Sequence, residues 1–232
     1  MADDVYVLEL DAMQQSAVDL GDPTRLVFDY MRRIGDVIDR LPPGPVRVLH
    51  IGGAAMTLAR YVHATRPRSS QIVLEPSVEV IERVRSEAPL PPRSGIKVRP
   101  VDGKSGIGSV RDGFADLVIL DAFDGGRTPD ELTSAAFVEA VRRVLAPSGV
   151  FVANLVDRAP FPQARDFIAA ARDLGDMVVG VEPATMKGRR AGNLVIVCGT
   201  VPDSPFGSPS PMEYRIFTDR AVADSFGGGT RR

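Results

Sequence analysis

Ala115-Asp-Leu-Val-Ile-Leu-Asp121-Ala-Phe-Asp124 is an apolar, strand-like run that delivers two acids, three residues apart, into a Gly-rich turn. In an open parallel α/β sheet, ligands bind outside the carboxyl ends of the strands, so acids just past such an end face a cleft more often than a core. Three earlier segments repeat the arrangement: residues 46–51 run into Gly52-Gly53, residues 71–75 end in Glu75, and residues 96–101 run into Asp102-Gly103. Between these strand-like runs lie helical patterns at 56–65 and 77–87 and a short helical turn, and helix 130–145, strand 149–155 and helix 161–174 follow. Alternating β and α units predict a parallel sheet with helices on both faces. The last two strands, 177–182 and 192–199, are joined by about nine residues. A parallel crossover needs about a dozen or more, so these strands are expected to pair as an antiparallel hairpin.

A parallel sheet closed by such a hairpin is, by analogy of fold, the class I methyltransferase variant of the doubly wound α/β architecture. The expected fold is therefore a mostly parallel, seven-stranded sheet with a small N-terminal β/helical extension. Residues 1–41 are read as that extension: a strand at 5–10, a second short strand or loop, and a helix started by Asp22-Pro23 and stopped by Pro42-Pro-Gly-Pro45. Residues 42–200 form the ligand-binding domain, and 201–232 are read as a Pro-rich linker and a frayed Gly-rich tail.

With 232 residues, 44% of them hydrophobic, the chain can bury one large core. Net charge is −2 without a long run of one sign, which gives no electrostatic footprint for nucleic acid or an anionic membrane. The single cysteine, Cys198, lies in an apolar strand and excludes an internal disulfide, and with two histidines it makes a structural zinc site improbable. Met1-Ala-Asp-Asp4 lacks signal-peptide character and no apolar run approaches a membrane span, so the expected compartment is the cytoplasm and the expected partner a small molecule.

Gly52-Gly53-Ala54-Ala55-Met56 lets a ligand approach the backbone but departs from the G-x-G-x-x-G dinucleotide spacing, since Ala54 and Thr57 stand where glycines would. Glu75 follows at the distance where an acid holds both ribose hydroxyls, or is a solvated acid capping the helix that starts near Ser77. Asp102 can accept from an adenine amino group or simply form an Asp-Gly turn. With no basic residue in the glycine turn, the set favours adenosine without a pyrophosphate, and a positively charged S-adenosyl compound fits. Asp121 and Asp124 then lie at its reacting end. His50, His63, Tyr61 and Arg60 are read as packing or surface residues. Lys187-Gly-Arg-Arg190 is read as the solvated tip of the hairpin, or as a guard against cations at the pocket mouth.

These residues resemble the spermidine synthase family of aminopropyltransferases, within the class I S-adenosylmethionine-dependent methyltransferase-like superfamily. Asp116-Leu-Val-Ile-Leu-Asp121-Ala-Phe-Asp124 with Leu132-Thr-Ser-Ala-Ala-Phe137 is similar to the family's D-V-I-x-x-D-x-x-D and L-F-T-x-x-F segments. Pro147-Ser-Gly149-Val-Phe-Val-Ala153-Asn154 resembles its P-G-G-x-x-V-x-Q strand, and Leu10-Asp-Ala-Met-Gln14-Gln15 its L-D-G-x-x-Q. Gln15 through Pro23 and Gly192-Asn193 are similar, more narrowly, to an actinobacterial branch. The resemblance implies decarboxylated S-adenosylmethionine, or S-adenosylmethionine, as co-substrate without a metal, held by Gln15, Gly52, Gly53, Glu75, Asp102 and Gly103. It implies a catalytic Asp121, amine contacts from Asp124 and Tyr30, and a homodimer formed through the N-terminal strands. Two acids of the family pattern are absent: Ala55 stands for the aspartate of G-G-G-D-G, and Arg32 for the glutamate of Y-H-E at Tyr30-Met31-Arg32. Arg32 is expected to put like charge beside an amine channel. The departures leave open a non-catalytic binder of an S-adenosyl compound or methylthioadenosine, and a methyltransferase acting on another acceptor.

Overall fold

The computed structural model describes residues 5–10, 13–207 and 213–231, apart from the side chains of residues 9, 10 and 13–15. The readings made on Met1–Asp4, on Asp11-Ala12, on residues 208–212 of the linker and on Arg232 lie outside the described residues.

Strands β1 (Val5–Leu10) and β2 (Met13–Asp19) form an antiparallel hairpin with a sheet of its own, and helix α1 (Asp29–Arg40) follows. Four parallel strands come next in sequence: β3 (Arg47–Ile51), β4 (Ser70–Leu74), β5 (Ile96–Arg99) and β6 (Ala115–Leu120). Helices α2 (Thr57–Thr65), α3 (Val78–Glu87) and α4 (Gly103–Ile107) connect them. Helix α5 (Ala135–Val144) leads to β7 (Leu145–Asp157), parallel to β6, and α6 (Pro162–Ala171) leads to β8 (Asp176–Val181). The short α7 (Pro183–Met186) turns the chain into β9 (Gly192–Gly199), antiparallel to both β7 and β8 as the short connection required.

Alternate residues of the central strands enter opposite faces, both buried, as expected of a covered parallel sheet. Leu49, Ile51, Val118, Leu120 and Phe151 pack with Phe137 and Val141 of α5 and Phe167 of α6. Val48, Leu117, Ile119 and Val152 meet Met31, Ile34, Val37 and Ile38 of α1 and Leu58 and Val62 of α2 on the other face. Each such apolar side chain contributes about 1.5–3 kcal/mol on leaving water. Helix α1 is thus a layer of the main core, packed against one face of the sheet.

Two expectations are corrected. Asp22-Pro23 does not start a helix: the Asp22 carboxylate accepts from the backbone N–H of Thr24 at 3.0 Å in a local turn, and α1 begins seven residues later at Asp29. Residues 213–231 are not an unstructured tail. Strand β10 (Arg215–Thr218) pairs antiparallel with β8 as an eighth strand, and α8 (Asp219–Phe226) inserts Phe226 between Phe161 and Phe217. Beyond it, the Thr230 N–H donates to Asp166 at 2.7 Å and Arg231 pairs with Asp173 at 2.6 Å, so the glycines there are held rather than frayed. Cys198 is buried in β9, where burial pushes its thiol up to about 12. Among the described residues, no helix is long and apolar enough to cross a membrane.

Candidate active site

The sheet order β10-β8-β9-β7-β6-β3-β4-β5 places β3 between β4 and β6, where the winding direction changes. That switch point is the place for a ligand crevice. The ladder runs on past the strand ends: the Gly52 N–H donates to Leu74 O at 2.9 Å, Asp121 N–H to Ile51 O at 2.9 Å, and Glu75 N–H to Arg99 O at 3.1 Å. Four adjacent strand ends, those of β6, β3, β4 and β5, are therefore locked in register, and the residues after them share one rim.

A cavity of about 390 Å³ opens on that rim, lined by Tyr30, Gly52, Gly53, Glu75, Asp102, Gly103, Asp121 and Asp124. The structure thus brings together every site residue read from the sequence whose side chain it describes. Gln15 lies on β2, and its side chain is outside the described residues. Its neighbour Ser16 lines the cavity and hydrogen bonds to Thr57 of α2 at 2.9 Å, which ties the N-terminal hairpin to the glycine turn.

Asp121 is held between two partners. Asn154 Nδ2, from the adjoining strand β7, donates to its Oδ1 at 2.9 Å, and the Tyr30 hydroxyl, from α1, donates to Oδ2 over 3.5 Å. Removal from water pushes the carboxyl up to about 6, against the opposing effect of both hydrogen bonds. The same burial and the Asp121 charge hold the Tyr30 phenol well above its ordinary range. Asp124 is exposed at the rim, in a tight turn whose backbone exchanges two hydrogen bonds with Arg127.

Asn154 carries no role in the sequence reading beyond its motif match. The rule that located Asp121 could have found it, because Asn154 lies one residue beyond Ala153, the last residue paired with β6 in the next strand. Its hydrogen bond favours the ionised Asp121. Asn154→Ala should therefore raise the Asp121 midpoint by about one to two units, given about 1.5–3 kcal/mol for a hydrogen bond to a charged group. Isotope-edited infrared titration of the carboxyl measures this directly, and an unmoved midpoint would show that the bond has no effect on Asp121 in solution.

On the other side of the crevice, Glu75 Oε2 accepts from the backbone N–H groups of Gly53 and Ala54 at 3.0 and 3.1 Å, and Oε1 accepts from Ser77 at 3.0 Å. The helix cap of α3 is Ser77 itself, through its side chain to Val80. Glu75 therefore staples the glycine turn to the end of β4, and its carboxylate oxygens keep further lone pairs for a ligand. Asp102 caps α4 by accepting from Ser105 at 2.8 Å, which holds its carboxyl below the usual range. Gly103 lets α4 press onto β3, since an added Cβ would strike Ile51. His50 lines the cavity floor and shares a hydrogen bond of 2.9 Å with Gln71; burial pushes it down to about 4, so at neutral pH it carries no charge.

The two departures from the family pattern take no part in this cavity. Ala55 is fully buried in an apolar cluster with Leu8, Val18, Val73 and Val80. Arg32 turns its guanidinium onto the carbonyls of Leu26 and Val27 and the carboxylate of Asp29, at 2.8, 3.2 and 2.9 Å. The like charge expected from Arg32 beside the amine is thus neutralised within the first turn of α1. Among the described residues, no group of His, Cys, Asp and Glu side chains is arranged to hold a metal ion.

No family model matches the chain. A polyamine aminopropyltransferase of Chromobacterium violaceum is 31% identical over 141 residues, which are 60% of this chain and 53% of the relative. One from Neisseria meningitidis serogroup A is 27% identical over the same shares. The chain spans about half the length of the curated relatives it matches. The whole fold is similar to the crystal structure of a probable spermidine synthase from Corynebacterium glutamicum, with a TM-score of 0.88 and 27% identity over 99% of this chain and 88% of that one. The chain is similar to polyamine aminopropyltransferases and to a probable spermidine synthase, and it has the class I methyltransferase-like fold. Human methyltransferase-like protein 13, solved with SAH, shares the fold with a TM-score of 0.59 at 21% identity, over 78% of this chain and 85% of that one. The chain therefore places its acids at the strand ends of a widely shared scaffold, and its chemistry must be argued from the crevice itself.

Proposed function

We propose that this chain transfers an aminopropyl group from decarboxylated S-adenosylmethionine to an amine and releases methylthioadenosine. The observation that carries the reading is Asp121, a carboxylate of raised proton affinity held between Tyr30 and Asn154 at the edge of a cavity with acids on its far side. No Lys or Arg is among the cavity-lining residues described, so neither a pyrophosphate nor the carboxylate of an intact amino-acid moiety meets a cationic side chain there. A sulfonium with a free ammonium suits that surround better. Glu75 and Asp102 are the groups for the ribose hydroxyls and the adenine amino group, and Gly52, Gly53 and Gly103 let the nucleoside reach the backbone.

An alkylammonium, with a pKa near about 10, must lose a proton before its nitrogen can attack. The nitrogen lone pair then forms a bond to the propyl carbon next to sulfur, the C–S bond breaks with its electron pair going to sulfur, and neutral methylthioadenosine leaves. Asp121 binds the ammonium and takes the proton. Its raised affinity closes about two of the roughly six units that separate an ordinary carboxyl from an alkylammonium. Asp124 and the Tyr30 hydroxyl supply further contacts to the amine, and alignment of the two substrates supplies much of the remaining acceleration.

Incubation with decarboxylated S-adenosylmethionine and a panel of amines should yield methylthioadenosine and an aminopropylated product by mass spectrometry. Retention of the donor with no product from any amine would replace this reading with that of a nucleoside binder. Homodimerisation through the β1–β2 hairpin belongs to the same proposal, because that two-stranded sheet does not join the main one and Leu20 is exposed beside it. Sedimentation velocity at micromolar concentration is expected to show a dimer, and a monomer would refute that part.

A further inference from the structure

Strand β7 runs parallel to β6, β9 antiparallel to β7, and β8 antiparallel to β9, so β8 ends on the same rim as β6. Glu182 follows β8 immediately, three strands along the rim from Asp121. Glu182 also lies two residues beyond the level of Asp121, so at about 4.8 Å per strand and about 3.3 Å per residue the backbones are about 16 Å apart, a gap that two inward-reaching carboxylates shorten toward the span of a short diamine. Ionisable side chains stand between the two, though neither Glu182 nor Tyr214 lines the cavity at Asp121. Tyr30 reaches Asp121, the Tyr214 phenol acts on Tyr30, and the carboxylates of Glu182 and Asp29 stand close enough to raise the Tyr214 phenol further. The Tyr214 hydroxyl is buried without a hydrogen-bond partner, and so is Thr185 Oγ1, which crowds the same Gly192 backbone as Glu182 Oε2. A buried hydroxyl without a partner is costly unless something arrives to satisfy it.

The far end of this tract already holds cations. Glu182, only 6% exposed, is paired at 2.5 Å with Arg190, whose side chain is 56% exposed and reaches in from the loop before β9. Asp29 is paired with Arg32, and the Arg33 guanidinium lies 5.8 Å from the Tyr214 ring centre. A diamine would bring a second ammonium to a carboxylate that a guanidinium occupies, and two cations cannot share it without repulsion. A monoamine leaves the pair intact and needs only Asp121.

We infer that Arg190 stands where the distal ammonium of a diamine would stand, so that this chain accepts amines with one charged nitrogen in preference to diamines. The inference rests on the aminopropyl-transfer reading and names its acceptor class. Specificity here comes from a built-in competitor, and such a competitor can be removed without touching the groups that do the chemistry.

The test is a competition between n-butylamine and 1,4-diaminobutane, equal in carbon chain and differing in the second nitrogen, with both products counted by mass spectrometry. The unaltered chain should favour n-butylamine at least tenfold. Arg190→Ala, and Arg190→Gln as a milder second variant, should move the product ratio at least tenfold toward the diamine, through a lower KM for the diamine with kcat little changed. Adding Glu182→Gln to Arg190→Ala should take that gain away. A diamine preference in the unaltered chain, or a ratio that neither Arg190 variant moves, would overturn the inference and leave aminopropyl transfer standing. Absence of product from both amines, and from the wider panel, would overturn the two together.

Discussion

Asp121→Asn is expected to lower aminopropyl transfer by at least about a hundredfold, within the 10²–10⁴ range for loss of a positioned proton acceptor. Donor binding should survive. The substitution keeps the shape of the side chain, an oxygen for Asn154 to donate to, and the Glu75 and Asp102 contacts on the far side of the cavity. What it removes is the negative charge and the site for the amine's proton. Equilibrium dialysis of labelled donor, run beside the turnover assay, separates the two effects; a variant with near-normal turnover would take Asp121 out of the chemistry.

The same substitution should stabilise the fold at neutral pH. The carboxyl binds its proton more tightly in the folded chain than in the unfolded one, rising from 3.8 to about 6. Between those values the folded chain holds more protons, so stability falls as pH rises through the interval, and above about 6 the ionised carboxylate is a standing cost. Asn cannot ionise and escapes it. After discounting for the carboxyl's partial contact with solvent, a gain of about 1–2 kcal/mol at pH 7 follows, and it should shrink toward zero near pH 4. Turnover by the unaltered chain has the opposite slope, rising as pH passes about 6 from below.

Gly52→Ala should be the most damaging small change in the crevice. Gly52 has φ +90°, where an L side chain is strained, and an added Cβ would run into the Asp121 carbonyl oxygen and stand 3.0 Å from Ala122 Cα. Both obstacles are backbone, so neither can rotate away. The left-handed conformation costs about 1–2 kcal/mol and forced overpacking about 1–3. A loss of about 3 kcal/mol is thus a sizeable part of the 5–15 that typically holds a domain together. The denaturation midpoint should fall with little change in slope, and donor binding should weaken as the glycine turn separates from β6. An unchanged midpoint would mean that the close crossing of β3 and β6 ends is not present in solution.

The strand-end acids were legible in the sequence because two strong local signals coincide there: an apolar run long enough for a buried strand, and an acid or glycine directly after it. The antiparallel closing pair was legible from loop length. The start of α1 was not. Asp22-Pro23 carries the residues of a helix cap but satisfies them in a turn, where Asp19 also accepts from the Gly21 and Asp22 N–H groups and from Arg25. The real start at Phe28 has no side-chain cap to read. Strand β10 escaped for a different reason: of its four residues only Phe217 is buried, so no period shows, and it exists because β8 offers an edge and Phe226 a partner. Ala55 and Arg32 show the limit of motif comparison. Matching positions tells which acid is missing, whereas only the fold tells that one position points into apolar packing and the other folds back on Asp29.

Helix α1 also fixes the order in which the crevice can be built. The glycine turn, Glu75, Asp102 and Asp121 all come from one continuous stretch, residues 52–121. Tyr30 precedes that stretch, and Asn154, Glu182, Arg190 and Tyr214 follow it, the last of them arriving with β10 at the very end. A chain growing from its N-terminus would thus complete the proposed nucleoside side before the proposed amine side. On the proposed reading the two sides are separable: changing the ends of the sequence would alter which amine is read and leave the donor site in the middle as it is.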